Sequence, residues 1–184
     1  MLPAYAPEYF ADRRIRFRIP YDMSGELVVN SGQVGRQFPE SQFLHNVDKP
    51  FEIWRMISRV KGLVVRDDVE ILVDPQPETM EERVRLSILD ISKNQEMTKN
   101  PQRVSSMQKL NERTWEWAPS PYTIVRQEGF QVRADALALP TVCLPDLYGG
   151  NPACTLVPTT IERALVEVVF QGFLLIIEPP SESR

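Results

Sequence analysis

His45 is the only imidazole in the 184-residue chain. With Asp48 it makes two ligands, short of the three or four protein ligands that zinc and related metals take. A hydrogen-bonded structural histidine is the plainer role. Cys143 and Cys154 are the only cysteines and form no CxxC pair, so they carry no zinc signature. A disulfide between them is possible, but two thiols in an unexported chain are expected reduced. A serine or cysteine nucleophile would have to draw on His45 as its base, and no G-x-S-x-G elbow accompanies it. No glycine run matches a phosphate-cradling loop. Glu52, Glu70, Asp90, Asp135 and Glu167 are candidates for a hydrolytic carboxylate pair. With 25 acidic residues, however, pairs arise by chance, and nothing in the spacing sets two of them ~5 to 9 Å apart across a cleft. Solvated strand faces are their default place. The expectation is a chain without cofactor, metal or catalytic set, with a carboxylate-based glycoside hydrolase kept as an alternative.

Binding has more support. Trp54, Trp115, Trp117 and Tyr148 are large amphipathic groups of the kind that pack in cores and anchor interfaces. Alternation puts Trp115 and Trp117 on one strand face. With Tyr148 they would make a carbohydrate platform, and the same stripe would serve a protein interface. Residues 1–12 hold Pro3, Tyr5, Pro7, Tyr9 and Phe10 without a helical period. They read either as a frayed terminus or as an extended arm whose aromatics lie on a neighbour. Arg14, Arg16 and Arg18 share one face of the next run, opposite Ile15, Phe17, Ile19 and Tyr21. The apolar face is expected buried and the arginines solvated. An arginine row also suits a phosphate or a subunit contact.

The elements that must position these groups are strands. The last long apolar run, Ile161 to Ile177, alternates Ala164, Val166, Val168 and Phe170 toward one face, the period of a strand with one buried side. From Phe173 both faces turn apolar, which predicts cover on both sides. Pro179 and Pro180 end it. Other strand-like runs are Arg14–Tyr21, Glu26–Asn30, Ser41–Val47, Phe51–Ile57, Val69–Val73, Arg83–Ile91 and Phe130–Ala138, with shorter ones at Arg113–Ala118 and Tyr122–Val125. In Phe51–Ile57, Phe51, Ile53 and Ile57 fall on one face, and Glu52, Trp54 and Met56 on the other. Ser24-Gly25 and Lys61-Gly62 read as turns. Residues 92–112 and 140–160 read as long loops, the first with a short helix from Val104.

No long amphipathic helix and no repeat is present, so about eight strands without intervening helices predict an antiparallel β-sandwich, jelly-roll-like, with long end loops. An immunoglobulin-like sandwich would be shorter, at ~100 residues. Residues 1–12 are taken as the arm and 13–184 as one domain. Sixteen scattered prolines punctuate short elements. A net charge of −4 argues against general nucleic-acid binding, which needs a cationic surface. No apolar run approaches the ~20 residues of a membrane helix, and no charged segment followed by an apolar one marks a signal peptide.

The stretch Pro39 to Met56 together with Val166 to Ile177 resembles the jelly-roll structural proteins of bacteriophage virions, of the minor capsid, cement or decoration type. The resemblance covers about the first third of the chain and its last strand. It implies a non-enzymatic virion component that meets copies of itself and other capsid proteins, with the arm, the 92–112 loop and the 140–160 loop as the expected contact regions. Tyr5, Tyr9, Phe10, Arg14, Arg16, Arg18 and Trp54 are the interface candidates that the residues themselves offer. The long middle of the chain departs from the pattern.

Overall fold

The computed structural model describes residues 15–35, 42–46, 49–66, 69–73, 80–91, 94–98, 101–107, 114–116, 121–124, 129–145 and 156–177. They are mostly strand: β1 (Ile15–Asn30), β2 (Gln42–Asn46), β3 (Phe51–Arg66), β4 (Val69–Val73), β5 (Val84–Asp90), β6 (Gln95–Glu96), β7 (Gln102–Arg103), β8 (Thr114–Glu116), β9 (Tyr122–Ile124), β10 (Gly129–Ala136), β11 (Thr141–Pro145), β12 (Leu156–Thr160) and β13 (Arg163–Ile177). One turn of 3-10 helix, Val104–Met107, buries Val104 and Met107. All pairings are antiparallel, and the sheets include a curled half-barrel.

The larger sheet runs β1-β13-β3-β4, with β8 and β9 also paired to β3. The smaller runs β2-β10-β5-β6, with β7 on β5. β11 and β12 form a separate ribbon. One core joins the two main sheets. Met23, Leu27 and Val29 of β1, Val60 and Val64 of β3 and the even positions of β13 meet Leu86 and Ile88 of β5 and Phe130, Val132 and Ala134 of β10. Phe130 and Phe170 touch edge-to-face at 4.9 Å between ring centres. The alternation read in β13 from Ala164 to Phe170 is the buried face seen here. Beyond it, Leu175 is buried among Ile15, Phe173 and Ile177, and Leu174 packs on the main core.

Several expectations are corrected. Ser24-Gly25 and Lys61-Gly62 are not turns but interior positions of β1 and β3. A lone glycine reads locally as a break, yet both strands pair with β13 along most of their length, Gly25 with Val168 and Gly62 with Ala164. Gly62 sits where Ile161 and Val73 press close, and an added Cβ would lie 2.8 Å from Val73 Cγ2. The expected loop 140–160 contains the β11–β12 ribbon, with Cys143 opposite Pro158 and Pro145 opposite Leu156. Proline is tolerated because each strand of a two-stranded ribbon has a free edge. The expected loop 92–112 holds β6, β7 and the 3-10 turn.

The faces of Phe51–Ile57 are also reassigned. Pairing with β13 passes from Ile53–Gly172 to Arg55–Gln171 and skips Trp54. This bulge gives one strand an extra residue and changes which parity faces inward. Phe51, Ile53 and Met56 are therefore all buried, while Trp54 is 43% exposed.

The apolar side of the first strand is the largest correction. Phe17, Ile19 and Tyr21 are 56%, 46% and 37% exposed. They share a face with the buried Met23, Leu27 and Val29, because odd residues of one strand point the same way. β1 is 16 residues long, while β5 and β10 have 7 and 8. The start of β1 outruns the sheet that would cover it.

Candidate functional site

The five carboxylates singled out in the sequence do not converge. Each is held by a different donor. The Arg18 guanidinium donates to Glu52 Oε2 at 2.9 Å, Lys61 Nζ donates to Glu167 Oε1 at 2.9 Å, and Arg163 donates to Glu70. Tyr122 donates its hydroxyl proton to Asp90 Oδ2 at 2.5 Å, joining β9 of the larger sheet to β5 of the smaller. Arg85 holds Asp135 with two bonds, at 2.6 and 2.8 Å.

Glu52 and Asp90 are fully buried rather than on solvated faces. A buried carboxylate is tolerable only when it is paired or hydrogen-bonded. Arg18 supplies that partner from β1, so this exposed member of the arginine row also answers a buried carboxylate. Arg18→Ala leaves the Glu52 carboxylate buried without its cation. Since Arg18 is itself 40% exposed, water relieves part of the full ~3 to 5 kcal/mol of a broken buried pair. A loss of about 2 kcal/mol in urea unfolding is expected. Adding Glu52→Gln is expected to restore about half of it, because the charge is then gone.

Asp135 contributes to a cavity of about 160 Å³ on the outer face of the smaller sheet, lined by Gly35, Arg85, Ser87, Glu96, Arg133 and Asp135 among others. Alternation in β5 and β10 turns Arg85, Ser87, Arg133 and Asp135 outward while Leu86, Ile88, Val132 and Ala134 face the core. Gly35, in the left-handed region at φ 67°, brings its amide to 3.5 Å from Asp135. The Asp135 hydrogen bonds raise the Arg85 pKa above its usual value, outweighing the effect of burial. Arg85 is spent on Asp135, while Arg133 Nε donates to the neutral Gln131 Oε1 at 2.9 Å. Sequence spacing did not bring Glu96 to this place, since the pairing of β6 with β5 is what delivers it. The cavity is smaller than the ~300 to 1,000 Å³ usual for a small-molecule site.

Among the described residues no group of three or more His, Cys, Asp or Glu is placed to hold a metal. Cys143 is an exposed free thiol. His45 lies in β2 opposite Phe130 of β10; its side chain and Asp48 fall outside the described residues. Trp115 sits in β8 opposite Met56. Its side chain, Trp117 and Tyr148 lie outside the described residues, as do Tyr5, Tyr9, Phe10, Arg14 and the side chain of Arg16. No helix among the described residues is long and apolar enough to cross a membrane.

What the structure exposes instead is apolar strand surface. Phe17, Ile19 and Tyr21 form one strip at the start of β1, and Trp54 projects at the β3 bulge. Val65, Val69 and Leu72 lie at the opposite margin of the same sheet, 39%, 57% and 54% exposed. The strip was missed because its periodicity is that of a buried face. The length mismatch between β1 and its cover was the missing signal. Compared with protein-family models, curated proteins and solved structures, the chain matches none.

Proposed function

We propose that this chain is a non-enzymatic structural component of a phage virion, a capsid, cement or decoration protein with a jelly-roll sandwich, working through contacts with copies of itself and other capsid proteins. The strand order supports the jelly roll. A long hairpin of eight strands rolled into two sheets pairs first with eighth, second with seventh, third with sixth and fourth with fifth. Counted that way, β1 pairs β13, β2 pairs β10, β3 pairs β8 and β9, and β5 pairs β6 and β7. The rolled hairpin also sets eighth beside third and seventh beside fourth, as β13 lies beside β3 and β10 beside β5. Viral capsid domains use this architecture, and so do lectins, so the fold alone assigns no role.

The observation that carries the assembly reading is the exposed strip Phe17, Ile19 and Tyr21. It follows closely in sequence on the aromatic arm, and half-exposed aromatic and β-branched groups in one row favour a protein partner. Deleting residues 1–12, and separately substituting Phe17→Ser with Ile19→Ser, is expected to abolish incorporation into phage particles, measured by the protein content of purified virions. Circular dichroism of the Phe17→Ser, Ile19→Ser variant should be unchanged, because these two side chains are largely exposed. Incorporation at wild-type level in both variants would overturn the proposal.

A further inference from the structure

The two margins of the larger sheet are built differently. A strand edge presents unpaired N–H and C=O groups, and proteins usually blunt it with proline or charge. β1 has both, with Pro20 lacking an N–H and Arg18, Asp22 and Glu26 at every fourth position. At the other margin β4 reads Val69-Glu-Ile-Leu-Val73, with no proline and no lysine. Its single charge, Glu70, is already answered by Arg163 of the same chain. Among the described residues β4 pairs only with β3, along 62–66. Val69 and Leu72 are each more than half exposed.

We infer that β4 is a pairing edge for the β4 of a second copy, antiparallel about a two-fold axis at Ile71. The strand is close to palindromic in residue type. Centring on Ile71 sets Val69 against Val73 of the second copy, Ile71 against Ile71, and Glu70 against Leu72. Charge selects this register from its neighbours. Centring on residue 70 would oppose two glutamates, and centring on 72 would oppose Glu70 to Asp74; like charges directly opposite are unfavourable. Both alternatives, like the chosen register, keep core-facing residues on the core side, because opposed residues point to the same face of a sheet. The contact is isologous, so it closes at two copies and leaves no further edge of this kind. The two larger sheets become one continuous sheet across the paired β4 strands, and Val69 and Leu72, on opposite faces, each gain cross-strand neighbours.

The pairing is independent of the virion proposal, because it is read on the purified chain. Sedimentation of the full chain at roughly 100 µM, above the micromolar constants that small interfaces reach, is expected to give twice the 21.2 kDa chain mass. A wild-type monomer at that concentration overturns the inference. Val69→Lys and Leu72→Lys put a charge on the edge at exposed positions. Each is expected to weaken the dimer at least about tenfold with unchanged circular dichroism, and a dimer of wild-type affinity in both overturns it. The register is tested by Ile71→Cys in a chain carrying Cys143→Ser and Cys154→Ser. Oxidation with diamide is expected to give a covalent dimer, since residue 71 meets itself across the axis. Val69→Cys should not cross-link, because its own counterpart lies four residues away, beyond the ~7 Å reach of a disulfide. A wild-type dimer in which the residue-71 cysteine fails to cross-link also overturns the assignment.

Discussion

Gly172→Ala is expected to destabilise the fold by about 3 kcal/mol or more, lowering the melting temperature by roughly 6 to 12 °C for a chain of this size. Gly172 sits in the middle strand of the larger sheet, opposite Tyr21 on β1 and Ile53 on β3, at the step where the β13–β3 register shifts. A Cβ there would fall within the van der Waals envelope of the Glu52 carbonyl oxygen and would also press on Phe51 Cε2 at 3.1 Å. The obstacle is backbone, so no rotamer change relieves it. β3 would have to move away from β13, drawing the buried Glu52 away from its Arg18 partner on β1. Gly62→Ala is the internal comparison. Its Cβ meets side-chain methyls rather than backbone, Val73 Cγ2 at 2.8 Å and Ile161 Cδ1 and Cγ2 at 2.9 and 3.2 Å. Both are β-branched and stiff, but side chains yield more than a carbonyl, so the loss is expected at about 1 to 2 kcal/mol. Thermal unfolding of the two variants separates backbone from side-chain obstruction, and equal losses would refute the argument. Since the same bulge directs Trp54 outward, the emission spectrum of Gly172→Ala should also shift before unfolding, while that of Gly62→Ala should not.

Gly172 and Gly62 show what was legible in the sequence and what was not. Period-two alternation in β13 is a local property, and it correctly named Ala164, Val166, Val168 and Phe170 as a one-sided face. Bulges, by contrast, are a relation between two strands. Trp54 looks like an ordinary alternating position until β13 skips it. Strand length was hidden for the same reason: Gly25 and Gly62 are breaks in isolation and interior residues once β13 pairs across them. The exposed strip of β1 needed a comparison of β1 with strands more than fifty residues away.

The candidate site was less legible than the fold. Every charged pair that decides the fate of a carboxylate joins residues far apart in sequence, 34 positions for Arg18 with Glu52 and 50 for Arg85 with Asp135. The free edge of β4 was half legible. Its residues were read as a strand, but only the sheet order shows that nothing described lies beyond it.

The second large effect concerns the contact that ties the sheets together. Phe170 of β13 and Phe130 of β10 are both fully buried, with ring planes at 76°. Phe170→Ala removes a full aromatic side chain from a close-packed layer and leaves a cavity that the long β1, β13 and β3 ribbon cannot collapse to fill. The expected loss is about 4 kcal/mol, or roughly 8 to 16 °C in melting temperature. Phe130→Ala should behave alike. The double variant is expected to lose about 1 kcal/mol less than the two singles together, the share of the edge-to-face contact that the first substitution already removes. Urea unfolding of the four proteins closes the cycle, and strict additivity would mean that the rings contribute only as separate fillers. The consequence reaches function. A chain that works by presenting strand edges and apolar strips to partners needs its two sheets fixed relative to one another. On the proposed pairing, Phe170→Ala is expected to weaken the β4-mediated dimer even below its unfolding temperature, although Phe170 lies in β13 and not on the pairing edge.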